Sequence, residues 1–370
     1  MPVWLVAVGV AGIAMLSTLA PSPADAAPAP AAPAAAASAT ARWISVARTN
    51  GRITARELGL VINTADPYSV AVGAFYAATR KLPEAQILRV EMPVKAQLDG
   101  DELQALNRQI EARFGASIQA LALAWTRPYA VSCNSITAAL TLGLDAELCA
   151  RTCAAPRHPS RYFGAATARP FTDLKLRPSM LLAAPTVDAA KAMIRRGLQS
   201  DGSLGLRGGL PAQAYFVDTS DRVRSARTPL FPPAGPLPRF GVDVHVESTD
   251  TLAAPRRVLL YQTGLAQVSG LDAVEWVPGA LADHLTSFGG VLDSTTGQMS
   301  ALAWIASGAT ASYGTVSEPC AHPQKFPHPQ VLLLHYLQGA SAIEAYWKSV
   351  AWPQQGVFIG DPLAAPYSRR

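Results

Sequence analysis

The chain has 370 residues, of which 49% are apolar and 15% charged, with a net charge of +5. That apolar content fills a sizeable core, which excludes wholesale disorder and leaves room for one large α/β domain or two smaller ones. No Lys/Arg run is interleaved with aromatic residues, so a nucleic-acid partner is not expected.

Residues 1–26 read as an export signal: the apolar stretch "VWLVAVGVAGIAMLSTLA", helix-breaking Pro21 and Pro23, then Ala24-Asp25-Ala26 as an A-x-A cleavage site. The positively charged start of such signals is missing, so an uncleaved anchor is the alternative and the only membrane contact expected. Residues 27–41 form an Ala/Pro-rich linker that cannot build a core. A single α/β domain is expected over 42–370, in a periplasmic or extracellular setting. There, Cys133, Cys149, Cys153 and Cys320 are disulfide candidates, with three possible connectivities.

In chain order, "LGLVINT" (58–64) predicts a buried strand, Asp66-Pro67 caps a helix to about Lys81, and "AQILRVEM" predicts the next strand. Asp99 caps a helix with Leu103, Leu106, Ile110 and Phe114 at helical spacing, and 117–126 is a third strand. "NSITAALTLG" predicts a short helix, followed by an irregular excursion over about 145–172. "SMLLAA", a helix capped by Thr186, and "AQAYFVDT" come next. The segment 220–250, with its proline-rich "RTPLFPPAGPLPRFG", is read as a second irregular insertion. A strand at 256–264, a helix near "QMSALAWIASG", a strand in "ATASYGTV", helices in "PQVLLLHYLQG" and "SAIEAYWKSVAW" and a last strand in "GVFIGDP" complete the domain. Trp304, Tyr313, Tyr346 and Trp347 fall at core spacings. The sum is a mostly parallel sheet with helices on both faces.

In such sheets ligands lie beyond the carboxyl ends of strands. That rule collects a polar rim of Asn63, Asp66, Ser69, Thr126, Arg127, Asp218, Thr263, Ser312, Glu318 and Asp361. Strand ends are in any case followed by polar turn and cap residues, and both Asp-Pro steps, at Asp66 and Asp361, have such a structural use. The loop "SEPCAHPQKFPHP" (317–329) concentrates Glu318, Cys320, His322 and His328 among prolines. These residue types suit zinc, but they also suit a turn in solvent, and no metal or cofactor is assigned. Ser287 and Ser312 sit beside glycines without the frame of a nucleophile elbow.

The blocks "LVINTADPYSVAVGAFYAATRKLP", "WTRPYAVSCNSITAAL", "WVPGALADHLTSFGG", "WIASGATASYGTVSEPCAHPQKFP" and "GDPLAAP" resemble an uncharacterised family of exported bacterial proteins that co-occurs with the exosortase (PEP-CTERM) sorting system. The likeness spans roughly residues 58–367. More remotely, the C-terminal third resembles gingipain-type cysteine peptidases, which implies a caspase-like three-layer sandwich. In that group a His-Gly pair and a nucleophilic Cys end successive strands, then a Gly-Ala strand and a Gly-Asp-Pro motif follow. Gly308-Ala309 and Gly360-Asp361-Pro362 fit the last two. "SFGG" (287–290) stands where His-Gly belongs, and no cysteine lies between Gly290 and Gly308. A dyad is assembled only from displaced residues, His284 as base and Cys320 as nucleophile. Two functions therefore stand side by side. One is a non-catalytic, peptidase-like protein whose crevice, including Ser287, Ser312 and His322, binds a peptide, glycan or surface partner in the sorting pathway. The alternative is a cysteine hydrolase using His284 and Cys320.

Overall fold

The structure, a computed structural model, describes residues 42–293 and 297–369. These belong to one compact unit, Thr40–Arg370. The expected export signal and the linker lie outside the described residues.

The first half is built as its caps and apolar runs predict. Strand β1 (Leu58–Asn63) is buried along its whole length. Asp66 then accepts the Tyr68 N–H, and Pro67 opens helix α1 (Pro67–Arg80), which ends on left-handed Lys81. Strands β2 (Ile87–Val90) and β3 (Gln97–Leu98) follow. An Asp99/Glu102 capping box starts α2 (Gly100–Arg113). Next come β4 (Ala120–Leu123), β5 (Ala130–Val131), β6 (Asn134–Ser135) and α3 (Ile136–Leu142). The 145–172 excursion holds short helices α4 (Glu147–Ala150) and α5 (Pro170–Leu174), and leads to β7 (Ser179–Leu181) and α6 (Val187–Ser200).

The second half contains β8 (Ala212–Asp218), β9 (Gly235–Leu237), β10 (Val242–Ser248), β11 (Val258–Thr263) and β12 (Trp276–His284). Helix α7 (Leu302–Ser307), β13 (Ala311–Thr315), α8 (Pro329–Leu337), α9 (Ala342–Ser349) and β14 (Gly356–Gly360) complete it.

Eleven strands form one sheet in the order β2-β1-β4-β7-β14-β13-β12-β11-β8-β10-β9. Neighbours run parallel, except that β13 is antiparallel to β14 and β9 to β10. β7 and β14 meet at the single pair Leu181–Ile359. Helices cover both faces. Gly59 lies against Phe114 at the end of α2, while Ile62, three residues on and therefore on the opposite face, lies against Gly73 of α1. This is an α/β three-layer arrangement. Trp304, Tyr313, Tyr346 and Trp347 are fully buried in it. Among the described residues, no helix is long and apolar enough to cross a membrane.

Two segments differ from expectation. Residues 220–250 are not an irregular insertion, because β10 pairs with β8 over seven residues, from Val242 opposite Ala212 to Ser248 opposite Asp218. The alternation of Val242, Val244 and Val246 with polar residues is the strand signal there, masked by the prolines before it. His284 ends a strand to which sequence analysis gives no element: β12 runs through Pro278 and Gly279, residues that ordinarily interrupt strands.

Candidate functional site

The expected catalytic pair is occupied otherwise. His284 is fully buried; its Nδ1 accepts the Trp304 indole N–H at 2.9 Å, and its Nε2 lies 3.0 Å from the Met299 carbonyl. Since an indole only donates and a carbonyl only accepts, the proton belongs on Nε2 and the ring is neutral. Burial pushes its pKa down to about 4; the Met299 bond opposes this, and Arg227 and Arg224 add to it. Cys320 is bonded to Cys153, and Cys133 to Cys149. Base and nucleophile are thus corrected to a packed histidine and half of a cystine, because neither a free lone pair on the ring nor a thiolate remains.

The loop at 317–329 is a braced turn. Glu318, fully buried, accepts the N–H groups of Cys320 and Ala321 at 3.1 and 2.8 Å, and its Oε1 lies 3.7 Å from Lys325 Nζ. That ammonium also donates to the Thr152 carbonyl, and Ser317 donates to the Cys133 carbonyl. The loop is therefore tied to the cystine-bearing excursion by hydrogen bonds as well as sulfur. His328 is spent at the start of α8, where its Nδ1 accepts the Val331 N–H. Ser287 offers its carbonyl to Glu318 N and Thr315 Oγ1. Ser312 Oγ is buried without a partner among the described residues.

The rim residues also separate. Asn63 is fully buried and clamps the chain after β2, donating to the Met92 carbonyl and accepting the Met92 N–H, both at 3.0 Å. Ser69 accepts the Asn63 N–H at 2.8 Å. Asp361 pairs with Arg80 at 2.5 Å and accepts from the Tyr76 hydroxyl. Asp66 caps one end of α1 and Arg80 ends the other, about 20 Å away at 1.5 Å per residue. Asp66 and Asp361 therefore do not share a site.

What remains open is a cleft of about 760 Å³ where the loops after β1, β4 and β7 face the segment following β12. Of the expected rim residues, Asp66, Thr126 and Arg127 line it. The facing wall, with Gln267, Asp293, Gly297, Gln298, Met299 and Ser300, was not singled out in the sequence; its signal is the long connection between β12 and α7. Arg127 is exposed, and its guanidinium bonds to no described residue. Tyr68 is fixed between the Leu182 carbonyl and the Ala184 N–H, and burial raises its pKa to about 12, so it stays neutral. Tyr129, just below the rim, donates to Asp293 at 2.9 Å. Met299, Leu292 and Leu302 add apolar surface. One cation, two carboxylates, hydroxyls and amides around an apolar floor suit an extended polar ligand such as a peptide or glycan. A smaller hollow of about 460 Å³ beside the excursion offers less, since its Asp145 is bonded to the N–H groups of Leu148 and Arg157.

No protein-family model, curated protein or solved structure matches this chain.

Proposed function

We propose that this is an exported, non-catalytic protein that binds a peptide, glycan or cell-surface component in the cleft between Arg127 and Gln298. The observation that carries the reading is the Cys153–Cys320 bond, which leaves no thiolate for peptidase chemistry. The placement of the cleft at the carboxyl ends of β1, β4 and β7 supports ligand binding there. The two disulfides support an oxidising compartment. The sequence blocks that resemble the exosortase-associated family favour surface sorting as the setting, with a caspase-like ancestry for the sheet.

The test uses the full exported chain against panels of peptides and glycans, with Arg127→Glu as the cleft variant. Binding that weakens tenfold or more (about 1.4 kcal/mol) in the variant, with no turnover of a fluorogenic peptide library, supports the proposal. Turnover under oxidising conditions, or binding indifferent to Arg127→Glu, overturns it.

A further inference from the structure

Glu318, Cys320 and His322 bring a carboxylate oxygen, a sulfur and a ring nitrogen within 4.8 Å of one another. Cys153 Sγ is bonded to that same sulfur, so a second sulfur lies beside the group. In the oxidised protein the sulfurs hold each other and cannot bind a cation as thiolates. The other donors are not exhausted. His322 packs edge-on against Trp352, and neither of its ring nitrogens has a hydrogen-bond partner among the described residues. Glu318 receives its two N–H bonds on separate oxygens, leaving lone pairs on each.

We propose that reduction of the Cys153–Cys320 bond by a dithiol unmasks a site for a zinc-class divalent cation, made of both thiolates, the Glu318 carboxylate and a His322 ring nitrogen. In the reduction the dithiol supplies two electrons and two protons; the cystine becomes two thiols, and the dithiol becomes a disulfide. Cation binding then displaces one proton from each thiol. Cys153 is exposed, so the bond is open to attack from solvent. Two sulfurs, one nitrogen and one oxygen are a tetrahedral donor set that zinc accepts.

Charge explains why reduction is required. With the disulfide closed, Glu318 is balanced by Lys325, 3.7 Å away, and a divalent cation would meet an ammonium. Two thiolates reverse this, since together with Glu318 they carry the three negative charges that Lys325 and a divalent cation neutralise. His328 stays outside the site, held at the start of α8.

The test uses the full chain carrying Cys133→Ser and Cys149→Ser, so that one pair of sulfurs remains. Zinc binding is measured by chelator competition before and after reduction, and cobalt is substituted to detect thiolate-to-metal charge-transfer bands. The expected result is one zinc per reduced chain and none per oxidised chain. Glu318→Gln and His322→Ala should each weaken binding by about tenfold or more. Binding no better than in the variant that also carries Cys153→Ser and Cys320→Ser overturns the proposal. So does binding unchanged by His322→Ala or Glu318→Gln, which is what two thiols in an unfolded chain would give.

Discussion

The Trp304 indole donates to His284 Nδ1 at 2.9 Å, so the histidine that closes β12 is held neutral between a donor and the Met299 carbonyl. Its pKa is pushed down from 6.5 to about 4, chiefly by burial. A histidine with a depressed folded-state pKa contributes stability that is full above its unfolded value and lost as pH falls from there to the folded value. We expect unfolding free energy to fall between pH 6.5 and 4, with His284 contributing about 3 kcal/mol of that loss. His335, buried beside Lys348, has its pKa lowered to about 4 and adds in the same direction. Urea unfolding at pH 7, 5.5 and 4 measures the total, and His284→Gln should flatten the slope. A proton resonance of His284 titrating near 6.5 would contradict the buried, neutral ring.

The Arg80–Asp361 pair fixes the "GDP" motif structurally. Both side chains are nearly inaccessible, Tyr76 adds a second bond to Asp361, and Arg80 reaches on to Asp201 at 2.7 Å. Replacing Asp361 by Asn removes the fully buried one of the guanidinium's two counter-charges and leaves only the partly exposed Asp201. Such losses cost about 3–5 kcal/mol, against about 0–1 kcal/mol for an exposed pair. Equilibrium unfolding of Asp361→Asn, with Arg89→Ala breaking the exposed pair to Glu84 as control, should reproduce that contrast. Ligand binding in the cleft should be unaffected in Asp361→Asn molecules that remain folded.

The elements of the first half were legible because their signals are local. "LGLVI" is apolar throughout, and Asp66-Pro67, Asp99-x-x-Glu102 and Thr186 are caps whose function needs no distant partner. β12 was not legible as a strand, since its Pro278 and Gly279 argue against one and only its pairing with β11 and β13 overrides them. The candidate site fared worse for the same reason. Whether Cys320 is a thiol depends on Cys153, 167 residues earlier, and whether His284 is a base depends on Trp304. The split between Asp66 and Asp361 was half visible: the length of α1 follows from its sequence, but the position of Asp361 at its far end does not.

The "SFGG" block has a packing explanation that makes a further prediction. A Cβ on Gly314 would sit 2.3 Å from the Gly289 carbonyl carbon and 2.5 Å from Gly290 N, so strand β13 and the loop after β12 touch backbone to backbone. Gly290 N–H bonds the Thr315 carbonyl at 2.8 Å across this contact. Gly314→Ala must push the two chains apart, which costs about 1–3 kcal/mol in a packed interior and occasionally more. Gly115→Ala, where nothing lies within 4 Å of the added carbon, should have little effect, so comparing their urea midpoints isolates the close approach from the loss of glycine itself.

The two disulfides close loops of very different length, with sequence separations of 16 for Cys133–Cys149 and 167 for Cys153–Cys320. If they act mainly by restricting the unfolded chain, closure entropy assigns about 3 kcal/mol to the short loop and about 5 kcal/mol to the long one. We expect Cys153→Ser/Cys320→Ser to destabilise by about 2 kcal/mol more than Cys133→Ser/Cys149→Ser in urea unfolding. Local bracing works against that difference. Glu318, Lys325 and Ser317 hold the long-loop bond in place through hydrogen bonds that survive loss of the sulfurs, whereas Cys133 and Cys149 join a turn and the four-residue helix α4. Combining both pairs with Glu318→Gln separates the contributions. If the long-loop pair still costs more once Glu318 is neutralised, closure entropy outweighs the local bracing; if the order reverses, the buried carboxylate and its ammonium hold the turn, and the cystine only covalently records a contact that the fold already makes.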